Sequence, residues 1–205
     1  MARRNEALPI AVLGLLNEQS LHGYELRKRL DVVIGALRRR ISFGSLYPTL
    51  RDLQGLGLIE QVPDVEAPAL ASRRTRVVYA ITDAGRARLA DLLSVSGPPS
   101  WEDDQFDVHF AFFGRTTPEV RLRILEGRRT RMQERLERAR LTAERPERPD
   151  RSGRRDGYLA ELQRHGRESV ERELSWLDGL IERERTAPPP TAGPLGAPPT
   201  TTPSP

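Results

Sequence analysis

Ser45, Tyr47, Pro48 and Arg51 lie in a stretch, Ile41 to Gln61, whose leucines Leu46, Leu50 and Leu53 recur at helical spacing. With those leucines inward, the opposite face offers a hydroxyl, a phenol and a guanidinium, groups that suit the base edges and phosphates of DNA. Arg51 is the candidate for a guanine edge, with Ser45 and Tyr47 at or near the bases. Ser42 can cap such a helix, and Gly57 falls where a left-handed residue would end it. A start at Ser42 leaves Pro48 in the second turn, where it removes one backbone hydrogen bond; a start at Ser45 places it in the first turn. Arg38, Arg39 and Arg40 precede this stretch, and Arg73, Arg74 and Arg76 follow it. Both clusters are phosphate candidates, and the second could also enter a narrow minor groove.

Other chemistries find little support. There is no cysteine, and the three histidines, His22, His109 and His165, are scattered. No glycine-rich phosphate loop or acid–base constellation emerges, so no catalytic residue, metal or cofactor is expected. His22 reads as a cap or a packed side chain.

The elements that must position the basic face follow from the periodicity. Leu8 to Asn17 predicts a first helix, with Leu8, Val12, Leu15 and Leu16 inward. A second opens at His22, Gly23 and Tyr24 and carries Tyr24, Leu26, Leu30, Val33 and Ile34 as an apolar side. Leu58 to Val62 and Arg76 to Ile81 read as paired strands around the long loop Pro63 to Thr75. Thr82 and Asp83 offer a cap for a helix running to Leu93. Helix followed by hairpin is the order of a winged helix-turn-helix.

Three blocks, LHGYEL at Leu21 to Leu26, SFGSLYPTLRDLQGLGLIE at Ser42 to Glu60 and VYAITDAGRARL at Val78 to Leu89, resemble the PadR family of bacterial transcriptional regulators. The likeness covers roughly the first ninety residues, and the remainder is similar only in architecture. It implies a dimeric repressor, usually relieved by a small molecule.

Beyond the linker composition SVSGPPS, Trp101 to Gly114 concentrates the large rings: Trp101, Phe106, Phe110, Phe112 and Phe113. Such clustering reads as core or subunit interface; an effector pocket using Trp101, Phe106, His109, Phe110 and Phe113 is the second reading. From Pro118 a long helix carries Leu122, Leu125, Met132, Leu136 and Ala139 on one stripe, with Arg129 filling a seam position. After a Pro- and Gly-containing break at residues 144–157, a second long helix carries Leu159, Leu162, Val170, Leu174, Leu177 and Ile181. Two such stripes invite pairing with each other and with a second chain. Glutamates interleaved with the arginines argue against a membrane or nucleic-acid role for these helices.

The chain of 205 residues holds 33 basic and 29 acidic side chains, a net charge of +4 whose sign favours an anionic partner. Lys28 is its only lysine. No signal peptide or membrane span is read, which implies a cytoplasmic protein. The expected architecture is mainly α with a small β wing: a winged helix-turn-helix domain over 1–93, a linker over 94–104, a helical dimerisation and effector domain over 105–185, and a disordered Pro/Thr-rich tail over 186–205. Dimerisation is assigned to Leu122, Leu125, Met132, Leu136, Leu162, Val170, Leu174, Leu177 and Ile181. The function that follows is a ligand-responsive homodimeric repressor binding an inverted-repeat DNA operator, half-sites about 34 Å apart. The alternative is a winged-helix protein-interaction module without specific DNA binding.

Overall fold

A computed structural model of the chain describes residues 6–35, 43–63, 77–103, 105–144 and 154–187. Arg38, Arg39, Arg40, Ser42, Arg73, Arg74 and Arg76, and the Pro/Thr-rich C-terminus beyond residue 187, lie outside the described residues. The elements run α1 (Ala7–Leu16), β1 (Leu21–His22), α2 (Gly23–Gly35), α3 (Phe43–Gly55), β2 (Ile59–Pro63), β3 (Val77–Ile81), α4 (Asp83–Ser94), α5 (Pro98–Trp101), α6 (Phe106–Ala111), α7 (Pro118–Glu144) and α8 (Arg154–Thr186). The architecture is mainly helical, with a three-stranded antiparallel sheet in the order β1, β3, β2.

The first core forms around α1, which is apolar all round and buried along most of its length. Leu26 and Leu30 of α2, Leu46, Leu50 and Leu53 of α3, and Leu89, Leu92 and Leu93 of α4 pack on it. Tyr24, expected on the apolar side of α2, is instead 74 % exposed. It stands two residues before Leu26, about 200° round the helix from the Leu26–Leu30 stripe, and its phenol tolerates water. Thr82 caps α4 by accepting from the Gly85 N–H at 3.1 Å, and its own hydroxyl donates to the Gly57 carbonyl at 2.7 Å. That pair of bonds fixes the turn after α3 against the start of α4.

The second core is the antiparallel pair α7 and α8. Ile124, Leu125, Met132 and Leu136 face Val170, Leu177 and Ile181, with Phe106 and Phe113 closing one end. The seam position expected for Arg129 belongs to Arg128, which is 6 % exposed. Arg129 lies to the outside, ion-paired with Asp178. The Arg128 guanidinium holds Glu173 of α8 at 2.7 Å, Asp103 at 2.5 Å and the Trp101 carbonyl at 3.1 Å, and sits over the Phe106 ring, 5.1 Å from its centroid. Three elements therefore meet on one buried charge.

The segment read as a linker is docked rather than free. Trp101 of α5 lies against Gly127 of α7 so closely that a Cβ there would collide with the indole. The short α6 and the residues just after it then divide between the two cores: Val108, with Phe112 beyond the helix end, joins the first, whereas Phe106 and Phe110, with Phe113 beyond, join the second. Phe112 covers Gly14 of α1, where again a Cβ would strike the ring. The helix is thus the bolt between the winged helix and the long helical pair. No helix among the described residues is long and apolar enough to cross a membrane.

Candidate nucleic-acid interface

Helix α3 begins at Phe43, the earlier of the two starts open in the sequence, and Pro48 stands inside it. Its inward stripe, Leu46, Leu50 and Leu53, is buried. Ser45, Pro48 and Arg51 are exposed on the other side, and Tyr47 is 56 % exposed. The helix ends in a tight turn: the Leu58 N–H donates to the Leu53 carbonyl at 2.9 Å, and Gly57 adopts φ 70°. A side chain at that φ would be strained, which is why glycine stands there. The chain then enters β2 directly, so helix and wing are rigidly related.

The two are also joined by side chains that periodicity alone did not single out. Gln61 of β2 donates through Nε2 to Gln54 Oε1 of α3 at 3.1 Å. Tyr79 of β3, paired in register with Gln61, lies beside Tyr47. Burial raises the Tyr79 phenol pKa and the nearby Tyr47 adds to it, while the hydrogen bond with Gln61 opposes both. The Tyr79 phenol therefore stays uncharged over the physiological range, and it presents donors and acceptors together with Gln54 and Gln61 in one surface between helix and wing. Gln61 and Tyr79 were recoverable only from the strand register, which places them opposite each other, and Gln54 only from its hydrogen bond to Gln61.

The aromatic segment is packed, not open. Phe106 and Phe113 are buried, Phe110 and Trp101 half-buried, and Phe110 stacks edge-on against Trp176 with centroids 5.1 Å apart. His109 is 1 % exposed and its Nδ1 has no hydrogen-bond partner. Burial pushes its pKa down to about 4. It is therefore neutral in the folded chain. No group of three or more potential metal ligands occurs among the described residues.

The residues assigned to dimerisation divide in two. Leu125, Met132, Leu136, Val170, Leu177 and Ile181 are buried within the single chain, and Leu122 and Leu174 are half-buried against them. They have little surface left to give a second copy. Leu162 is 66 % exposed. It shares the far end of the helical pair with the exposed Tyr158, Leu159 and Leu141.

Residues 12–91 match the model of a family described as the transcriptional regulator PadR-like family. A probable transcriptional regulator of Mycobacterium tuberculosis is 37 % identical over 84 residues, 41 % of this chain. The match spans 42 % of that relative's length. Among solved structures, Bacillus subtilis PadR in complex with operator DNA is 21 % identical, with a TM-score of 0.40 over 86 % of this chain and 98 % of the other. The same protein in complex with p-coumaric acid is 20 % identical, with a TM-score of 0.39 over 87 % and 99 %. A PadR-like regulator of Bacillus cereus is 21 % identical, with a TM-score of 0.38 over 90 % and 99 %.

Proposed function

We propose that this chain, a PadR-like transcriptional regulator by its residues 12–91, represses transcription by binding an inverted-repeat DNA operator as a homodimer. The observation that carries the reading is α3 itself. Its leucine face is sealed into the first core, while Ser45, Tyr47, Pro48 and Arg51 stand exposed beside a wing locked to the helix through Gln54 and Gln61. A polar, rigidly held helix face with an adjacent wing has the form that reads a major groove. Arg51 supplies a bidentate fork for guanine, and Ser45 and Tyr47 flank it. Arg38, Arg39, Arg40, Arg73, Arg74 and Arg76 supply the phosphate contacts in this reading, and Ser42, the helix-cap candidate, belongs to the same DNA-binding set.

Dimerisation rests on the apolar end of the helical pair, where Leu141, Tyr158, Leu159 and Leu162 are exposed together. The effector of the repressor acts through the aromatic segment, Trp101, Phe106, His109, Phe110 and Phe113, because α6 touches both cores. A molecule that shifts α6 changes the setting of the two recognition helices. The protein works in the cytoplasm, where its operator is.

Replacing Arg51 with alanine tests the base-reading role. The expected outcome is a loss of about 1 to 3 kcal/mol on the operator with a much smaller loss on random duplex. Equal losses on both would remove Arg51 from base recognition.

A further inference from the structure

We propose that the flank of α3 turned toward α1 and α4 holds a binding site for a small lipophilic cation, independent of the aromatic segment. A cavity of about 360 Å³ opens there, within the roughly 300 to 1,000 Å³ of small-molecule clefts. The buried Leu13, Leu53 and Leu92 line it together with Leu8, Leu56 and Leu58. Leu56 is exposed, although leucine at that place gains nothing from water.

The polar groups at the mouth decide the class of ligand. Glu6 and Arg88 occupy each other in an ion pair at 3.3 Å. Thr49 spends its hydroxyl proton on the Ser45 carbonyl at 2.8 Å. Asp52 has no ion-pair partner among the described residues. Among the described residues the mouth therefore carries two carboxylates, Glu6 and Asp52, against the Arg88 guanidinium, over walls of leucine. An anion would meet a rim that is net negative among the described residues, whereas a cation would gain the attraction of the exposed Asp52 carboxylate that an uncharged molecule would not. A cationic head on a compact apolar body satisfies both features.

Position gives the site its interest. Ser45, Thr49 and Asp52 follow steps of four and three along α3, with Leu56 four further on just past its end, so the ligand would lie along the same helix that carries Tyr47 and Arg51. Ser45 belongs to both surfaces. The site is distinct from α6, and occupancy is measurable without DNA, so its failure would be separate from any failure of the operator reading.

The test is a methyl-labelled NMR titration of the full chain with benzyltrimethylammonium, against 3-phenylpropanoate as an anion of similar size. Saturable shifts confined to the methyls of Leu8, Leu13, Leu53, Leu56, Leu58 and Leu92 are expected, with the anion much weaker. Asp52→Asn should weaken the cation by about fivefold, the scale of a partly exposed ion pair. Asp91→Asn, on the exposed side of α4 outside the cavity, should leave it unchanged. Absent shifts, shifts spread over the long helices, equal binding of the anion, or an unaltered Asp52→Asn protein would each overturn the proposal.

Discussion

His109 is a histidine kept neutral by its surroundings, and that has a measurable cost in acid. Its folded pKa of about 4 lies below the ordinary 6.5. The unfolded chain therefore takes up a proton on this ring at a pH where the folded chain does not. Stability from this source is complete above about pH 6.5 and is lost as the pH falls toward 4. At 1.36 kcal/mol per pKa unit the loss is up to about 3 kcal/mol. Urea unfolding of wild type and His109→Leu across this window should show the wild type losing more stability by that amount. Parallel pH profiles would contradict the assignment. The seam arginine shows what sequence can and cannot reveal at this scale. Periodicity located the stripe of α7 but put Arg129 in the seam where Arg128 stands, because a drift of one residue decides that and the deciding partners, Glu173 and Asp103, lie far away in sequence.

At the level of elements, α6 carries the most consequence for its six residues. It is too short to show a period, so the sequence reads only an aromatic cluster. Its division between two cores depends on Gly14 of α1 and on the paired end of α7 and α8, which no local pattern encodes. By contrast α3, the wing strands and the Thr82 cap were legible to within a residue or two, because each is set by local periodicity and local hydrogen bonds. The Gly14–Phe112 contact offers a direct check. Gly14→Ala should destabilise the protein by about 1 to 3 kcal/mol through overpacking. In a Phe112→Leu background the same change should cost distinctly less, a non-additivity that denaturant melts can read. Additive effects would mean that the ring does not press on that glycine.

In the whole molecule, two long helices satisfy each other before they meet any partner. The two stripes were legible in the sequence, but which side of each faces inward was not, since pairing within a chain and pairing between chains demand the same spacing. With the inner residues already buried, a dimer must use what is left exposed. Tyr158, 81 % exposed, and Leu162 are the foremost of these. Leu162→Asp should shift sedimentation from dimer toward monomer without unfolding the helices, because the side chain is solvent-facing within one copy. A dimer of unchanged strength would move the interface elsewhere.

In the proposed function α3 reads DNA sequence from a dimer. Its most direct test is fluorescence anisotropy of the purified protein on duplexes tiled from the DNA upstream of its own gene, against random duplex, across a salt series. Tight binding to one tile bearing an inverted repeat is expected, with affinity falling steeply as salt rises. Uniform weak binding to every tile and to random duplex, insensitive to Arg51, would contradict it.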